Sequence, residues 1–202
     1  FIETADGSTS IYLEEMDEHY HSKHGAIAES NHIFIKNGLL PKSSQEEISV
    51  FEVGMGTGLN VMTTIKAADE HQLKVNYHTV EAFPIKEEEL GLINFSSLLG
   101  MDQGLFLRIH TVPWEIENLL QDNFKLSKFH SKLSELELRA AFFDVVYFDA
   151  FAPEKQEEMW TEEIFQKMFD VLKAEGILVT YCVKGVIRRR LQAVGFRVEK
   201  LK

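Results

Sequence analysis

The chain has 202 residues, 45% hydrophobic and 26% charged, which suits one soluble globular domain with a substantial core rather than a disordered or fibrous protein. No apolar run approaches the ~20 residues of a membrane span and no secretory leader opens the sequence; the single cysteine, Cys182, excludes an internal disulfide framework and fits a reducing cytoplasm. The net charge of −11 argues against a generic nucleic-acid binder, yet residues 184–202 hold seven basic side chains against the one acid Glu199, so that segment carries +6 and the remainder −17. Such a basic end is either a phosphate-contacting patch or a solvated helix face.

In chain order, residues 1–47 form an N-terminal extension in which Ile11-Tyr12-Leu13 and His32-Ile33-Phe34-Ile35 read as a short hairpin or strand plus a helix. Phe1 is not an initiator methionine, so residues are expected ahead of it. The apolar run 48–53 reads as a buried strand ending in Gly54, Gly56 and Gly58, and Leu59, Met62, Ile65 and Ala68 mark a helix over 59–70. Further strands are expected at 74–80, 105–110, 144–148, 176–182 and 196–201. Helices are expected at 85–92, from an N-cap at Thr161 to before Gly176, and at 186–194. Residues 115–142 are long for a connection and read as a helical insertion. Alternating strands and helices predict an α/β fold, a single domain with a doubly wound, mostly parallel, Rossmann-like sheet and its ligand at the carboxyl ends of the strands.

The glycine turn lets backbone approach a ligand closely, and the following helix points unpaired N–H groups into the same crevice. Two features depart from a dinucleotide fingerprint: Leu59 stands where a further glycine belongs, and Glu52 precedes the loop. A carboxylate there suits a cationic or hydroxyl-rich ligand better than a pyrophosphate, which favours S-adenosylmethionine over NAD. Glu81, at the tip of the second strand, can take both ribose hydroxyls of an adenosine. The run Asp144–Phe148 delivers Asp149 to the sheet edge, followed by Phe151 and a loop stiffened by Pro153. Methyl transfer to an amine needs a free lone pair, and Asp149 can orient the amine, lower the cost of deprotonating it and stabilise the ammonium formed. Phe151 and Trp160 can supply a stacking surface for a base or enclose a cation. Trp114, expected just after the third strand, either covers adenine or is core. His19, His21 and His24 with Glu18 match no standard metal set, so no metal is expected.

Glu52 to Asn60, the run Asp149-Ala-Phe-Ala-Pro-Glu-Lys and Met159-Trp160-Thr161 resemble the methyltransferase half of the bifunctional tRNA 5-methylaminomethyl-2-thiouridine biosynthesis family. So do His19-Tyr20-His21-Ser22, the segment from Gly25 to Phe34, and Gly185-Val-Ile-Arg-Arg-Arg190 through Phe196, the match being weakest at 85–142. The resemblance implies a class I methyltransferase fold, S-adenosyl-L-methionine as donor, and methylation of the aminomethyl nitrogen on a wobble uridine of tRNA in the cytoplasm. It implies Asp149 as the catalytic aspartate and Glu52, Gly54, Gly56, Thr57, Gly58, Asn60 and Glu81 as donor contacts. Tyr20, Ser22, Glu29 and Asn31 are expected to line the pocket from the N-terminal side, and Phe151, Pro153, Trp160, Arg188 and Arg189 to contact the substrate. Nothing in the 202 residues can form the family's flavin-dependent oxidoreductase domain, so a separate flavin enzyme is expected to supply the aminomethyl group. A seventh strand and a basic tail are expected beyond Lys202. The alternatives are a small-amine methyltransferase, a spermidine-synthase-like aminopropyltransferase, and a donor-binding scaffold without activity.

Overall fold

The computed structural model describes residues 2–13, 18–20 and 25–201. Two short antiparallel pairs, β1 (Ile2–Glu3) with β2 (Thr9–Ser10) and β3 (Tyr12–Leu13) with β4 (Glu18–His19), precede α1 (Ala26–Ser30). Helix α1 runs on without a break as a π-helix over Asn31–Leu39, so the expected hairpin and helix are both present.

The central sheet contains β5 (Ile48–Val53), β6 (Val75–Glu81), β7 (Glu117–Gln121), β8 (Phe124–His130), β9 (Phe143–Phe148) and β10 (Leu172–Val179). Their order is β10-β9-β5-β6-β8-β7, all parallel except β7 against β8. Every residue of β5 and β9 is buried, as expected for parallel strands covered on both faces. Period-two alternation sends Val50, Tyr77, Leu126 and Tyr147 into a core shared with α1 and α2 (Leu59–His71). Phe51, Val53 and Phe148 enter a second core against α6 (Glu162–Val171) and α7 (Gly185–Ala193). From β5 the chain moves outward through β6 to β8, then returns to the other side of β5 as β9. The crevice between the carboxyl ends of β5 and β9 is therefore the switch point where doubly wound folds bind ligands.

Several sequence expectations are corrected. Residues 105–110 are not a strand: Leu105, Phe106 and Ile109 form the buried stripe of a helix, α5 (Gln103–Thr111), whose N-cap Asp102 accepts from the Leu105 N–H at 2.8 Å. Residues 115–142 are not a helical insertion, since β7 and β8 make a hairpin there, turned at Asp122-Asn123. The third parallel strand is β8, whose buried face reads Phe124, Leu126, Lys128; a lysine in an inward position hid the alternation. The last sheet strand starts at Leu172, so Gly176 sits at a register shift inside β10 rather than beyond a helix end. Residues 196–200 form no strand, and the helix expected over 85–92 shrinks to one turn, α3 (Glu87–Leu90), followed by α4 (Phe95–Leu99).

Candidate active site

The loop between β5 and α2 is held open by its glycines, which take positive φ at Gly54, Gly56 and Gly58. A Cβ on Gly54 would lie 2.8 Å from the Asp149 carbonyl, so only glycine lets the ends of β5 and β9 meet. On Gly56 it would strike the Tyr20 ring at 2.9 Å, which places Tyr20 directly on the loop. Tyr20 in turn meets Phe151 edge-on, with ring centres 5.1 Å apart. The loop is braced from behind: the His110 Nε2 bonds the Thr57 carbonyl at 3.2 Å, and Lys128 donates to the His110 carbonyl at 2.6 Å. Thr57 itself is buried.

Glu81 closes β6 as expected, its Oε2 accepting from the Gly56 N–H and its Oε1 from the Phe83 N–H, both at 2.9 Å. Burial raises its pKa and these backbone N–H groups pull it back. Phe83, two residues on, is 73% exposed beside this acid. It is absent from the predicted site residues, although an aromatic just after a strand-tip carboxylate is a signal the sequence carries.

Asp149 follows the last residue of β9, and its Oδ2 accepts from the Asn60 Nδ2 at 2.8 Å. Burial lifts its pKa to about 7, the Asn60 bond opposing and the charge of Glu29 adding. Tyr20, Glu29, Ser30, Asn60 and Asp149 line one cleft with Phe34 of the π-helix. Near it Glu52 is wholly buried, with the polar groups of Thr79, Asn60 and Tyr77 close to its carboxylate. Burial first, and the Asp149 charge second, push Glu52 up to about 8.

The structure separates the remaining predicted residues. Phe151 and Pro153 are half-buried on the loop after Asp149. Trp160 is corrected: it is fully buried against Phe148 and Phe165, and its indole N–H is spent on the Phe151 carbonyl at 2.7 Å, so it braces the loop and presents no stacking face. Trp114 is half-buried before β7, with the Lys128 ammonium 4.4 Å over its ring and His130 beside it. Arg188 and Arg189 are exposed on α7, whereas Arg190 donates to the Trp160 carbonyl at 2.8 Å. Helix α7 is tied to the Asp149 loop through the Lys184–Glu154 ion pair and through Tyr181, which donates to the Ala150 carbonyl at 2.9 Å. Asn31 opens the π-helix and is exposed. Ser22, His21 and His24 lie outside the described residues, as does the side chain of His19.

The cleft has the chemistry of a sulfonium nucleoside site. The described residues that line it include two acids and no base, a third acid, Glu52, is buried close by, and Glu81 stands at the glycine loop with lone pairs for hydroxyls. That donor set fits a cation bearing a ribose and opposes a pyrophosphate. In fold and site the chain resembles a class I S-adenosyl-L-methionine-dependent methyltransferase.

Residues 115–202 match the family described as S-adenosyl-L-methionine-dependent methyltransferase. The chain is 27% identical over 94% of its length to the tRNA 5-methylaminomethyl-2-thiouridine biosynthesis bifunctional protein MnmC of Cupriavidus metallidurans. It is 29% identical over 93% of its length to the protein of that name from Leptospira interrogans. It spans 30% and 31% of those two proteins. A crystal structure of MnmC2 from Aquifex aeolicus matches with a TM-score of 0.77 at 25% identity, covering 96% of this chain and 63% of that one. The resemblance to the methyltransferase half of this bifunctional family therefore holds along nearly the whole chain.

Proposed function

We propose that the chain transfers a methyl group from S-adenosyl-L-methionine to the aminomethyl nitrogen of a modified wobble uridine in tRNA. The observation that carries the reading is the Asp149 carboxylate, held at the switch point by Asn60 in a cleft whose described lining has acids but no base. The glycine loop, Glu52 and Glu81 hold the donor, which supplies an electrophilic methyl on a cationic sulfur. An alkylamine is mostly protonated at neutral pH, so Asp149 first binds the ammonium and then accepts its proton, freeing the lone pair in line with the methyl. Its pKa near 7 makes it a far better acceptor than an ordinary aspartate. Tyr20 and Phe151 form the aromatic wall beside it. The similarity to proteins named for 5-methylaminomethyl-2-thiouridine biosynthesis supports tRNA as substrate, as do the exposed Arg188 and Arg189 on the helix tied to the Asp149 loop. The aminomethyl group is supplied by a flavin-dependent reaction outside the cleft.

The test is methyl incorporation into tRNA carrying 5-aminomethyl-2-thiouridine, with putrescine and spermidine as competitors and Asp149→Asn as control. The reading expects methylated tRNA, polyamines inert, and an Asp149→Asn protein that binds donor but turns over at least about 100-fold more slowly. Turnover on polyamines alone would replace the tRNA reading with the aminopropyl or small-amine alternative.

A further inference from the structure

Two buried side chains from separate elements, Ser30 and Asn60, form a hydrogen-bonded line that ends on Asp149. Ser30 is the last residue of α1 and 2% exposed; Asn60 is the second residue of α2 and 4% exposed. The Ser30 hydroxyl donates to the Asn60 Oδ1 at 2.7 Å, and the Asn60 Nδ2 donates to the Asp149 Oδ2 at 2.8 Å. Thr63, one turn along α2, lies 2.9 Å from the Ser30 Oγ and also reaches the Leu59 carbonyl.

We propose that Asn60 and Ser30 are positioning residues for the methyl-transfer step, with Ser30 locking the Asn60 amide so that its N–H fixes the Asp149 carboxylate toward the amine. The inference deepens the assignment of Asp149 as proton acceptor and rests on it.

A primary amide has two planar orientations that differ by exchanging oxygen and nitrogen. Turned the wrong way, Asn60 sets a carbonyl oxygen against the Asp149 carboxylate, lone pair against negative charge, in a buried site where such repulsion is poorly screened. The Asp149 carboxylate only accepts, so it takes the nitrogen end of the amide, and the Ser30 hydroxyl supplies its proton to the oxygen end. One Asp149 oxygen is thereby occupied and the other left for the substrate ammonium, so the carboxylate is aimed before substrate arrives. The bond favours the charged form: Asn60 opposes the rise that burial imposes on Asp149. This assignment moves Asn60 from donor contact to acid holder. It also gives the π-helical segment a role, because α1 and its continuation carry Ser30, Glu29 and Phe34 into the same cleft.

The experiment measures donor affinity and the pH dependence of kcat on tRNA for Ser30→Ala, Asn60→Ala and Asn60→Ser, each checked for folding by circular dichroism and thermal melting. Loss of the N–H removes support for the carboxylate anion, so protonation of Asp149 begins at a higher pH. The acidic limb of the kcat profile moves up by half a pH unit or more in Asn60→Ala, and in the same direction by less in Ser30→Ala. At neutral pH kcat falls about 10–100-fold for Asn60→Ala, while donor Kd stays within about threefold. A lower kcat with the wild-type limb would make both residues merely structural. A donor Kd that rises in step with the loss of kcat would return Asn60 to the donor site. If Asp149→Asn is as active as wild type, the assignment of Asp149 itself fails; if Asp149→Asn is inactive and Asn60→Ala keeps the wild-type limb, only the positioning role fails. Should Asn60→Ala not fold, Ser30→Ala carries the test alone, since it leaves the amide in place and removes only what orients it.

Discussion

At the scale of single residues, the site turns on carboxylates kept partly protonated by their surroundings. Glu52 ionises near 4.5 in an unfolded chain but near 8 in this fold. Stability tied to it is complete below pH 4.5 and drains away as pH rises toward 8, because folding must then bury a charge. Two outcomes follow from the same acid. Glu52→Gln melts at a higher temperature than wild type at about pH 8.5, with the gap closing at about pH 5, and, if Glu52 contacts the donor as proposed, it binds donor more weakly. In wild type the cationic donor pulls both Glu52 and Asp149 toward ionisation, so binding at about pH 7 releases protons. Calorimetry in buffers of different ionisation enthalpy reads that release, and a binding enthalpy independent of buffer would show that neither acid changes charge. Glu52, Glu81 and Asp149 were visible in the sequence because each sits at the end of an apolar strand beside a turn. Trp160 was misread because an aromatic near a catalytic loop has the same sequence signature whether it faces ligand or braces the loop from inside. Ser30 left no trace, since its meaning lies in its bond to Asn60, 30 positions away.

At the scale of elements, the first helix depends on a cap from elsewhere in the chain. Asp6 Oδ2 accepts from the Ile27 N–H at 3.0 Å and the Ala28 N–H at 3.3 Å, while Oδ1 takes the Thr4 and Ser8 hydroxyls. The Ser8 and Thr4 hydroxyls lead the hydrogen bonds that outweigh burial and hold its pKa down at about 2 against an ordinary 3.8. The sign is that of a depressed acid: the cap's contribution is whole above pH 3.8 and is lost as pH falls through 2. Asp6→Ala is expected to destabilise the fold by about 1 kcal/mol at neutral pH. It also loosens Glu29 and Ser30, which ride on α1, so amide exchange over 26–30 quickens and donor affinity drops. Unchanged exchange in that segment would mean the helix is held by packing alone. Sequence patterning could not supply this cap, which joins residues 21 positions apart. Nor did it distinguish α5 from a strand: apolar residues at 105, 106, 107 and 109 fit a short buried strand as well as one helix face. The β7–β8 hairpin was missed for a related reason, Lys128 standing where the alternation calls for an apolar side chain. The glycine-loop unit β5–α2 was legible because its strand, turn and helix each carry independent signals.

At the scale of the whole molecule, a net charge of −11 opposes RNA at long range, so the proposed tRNA substrate requires a local basic surface. The candidate for that surface is α7 with the segment after it, joined to the Asp149 loop by Lys184–Glu154. The three consecutive arginines do not act alike. Arg190 is half-buried and bonds the Trp160 carbonyl, so its removal loosens the loop that carries Phe151, whereas Arg188 and Arg189 are exposed. The sequence showed the cluster but not this division, which depends on which face of α7 packs inward through Ile187 and Leu191. The double variant Arg188→Ala, Arg189→Ala is therefore expected to weaken tRNA binding without altering donor affinity or melting temperature. Each phosphate that an arginine no longer neutralises lowers the slope of log K against log salt by about 0.7–0.9, so removing both side chains flattens it by roughly 1.5. Filter binding across a salt series measures the slope directly. Arg190→Ala separates the two roles: it lowers turnover and thermal stability while leaving most of the salt slope intact. A slope unchanged in the double variant would place the RNA elsewhere on the protein and leave α7 a solvated counterweight to the acidic body.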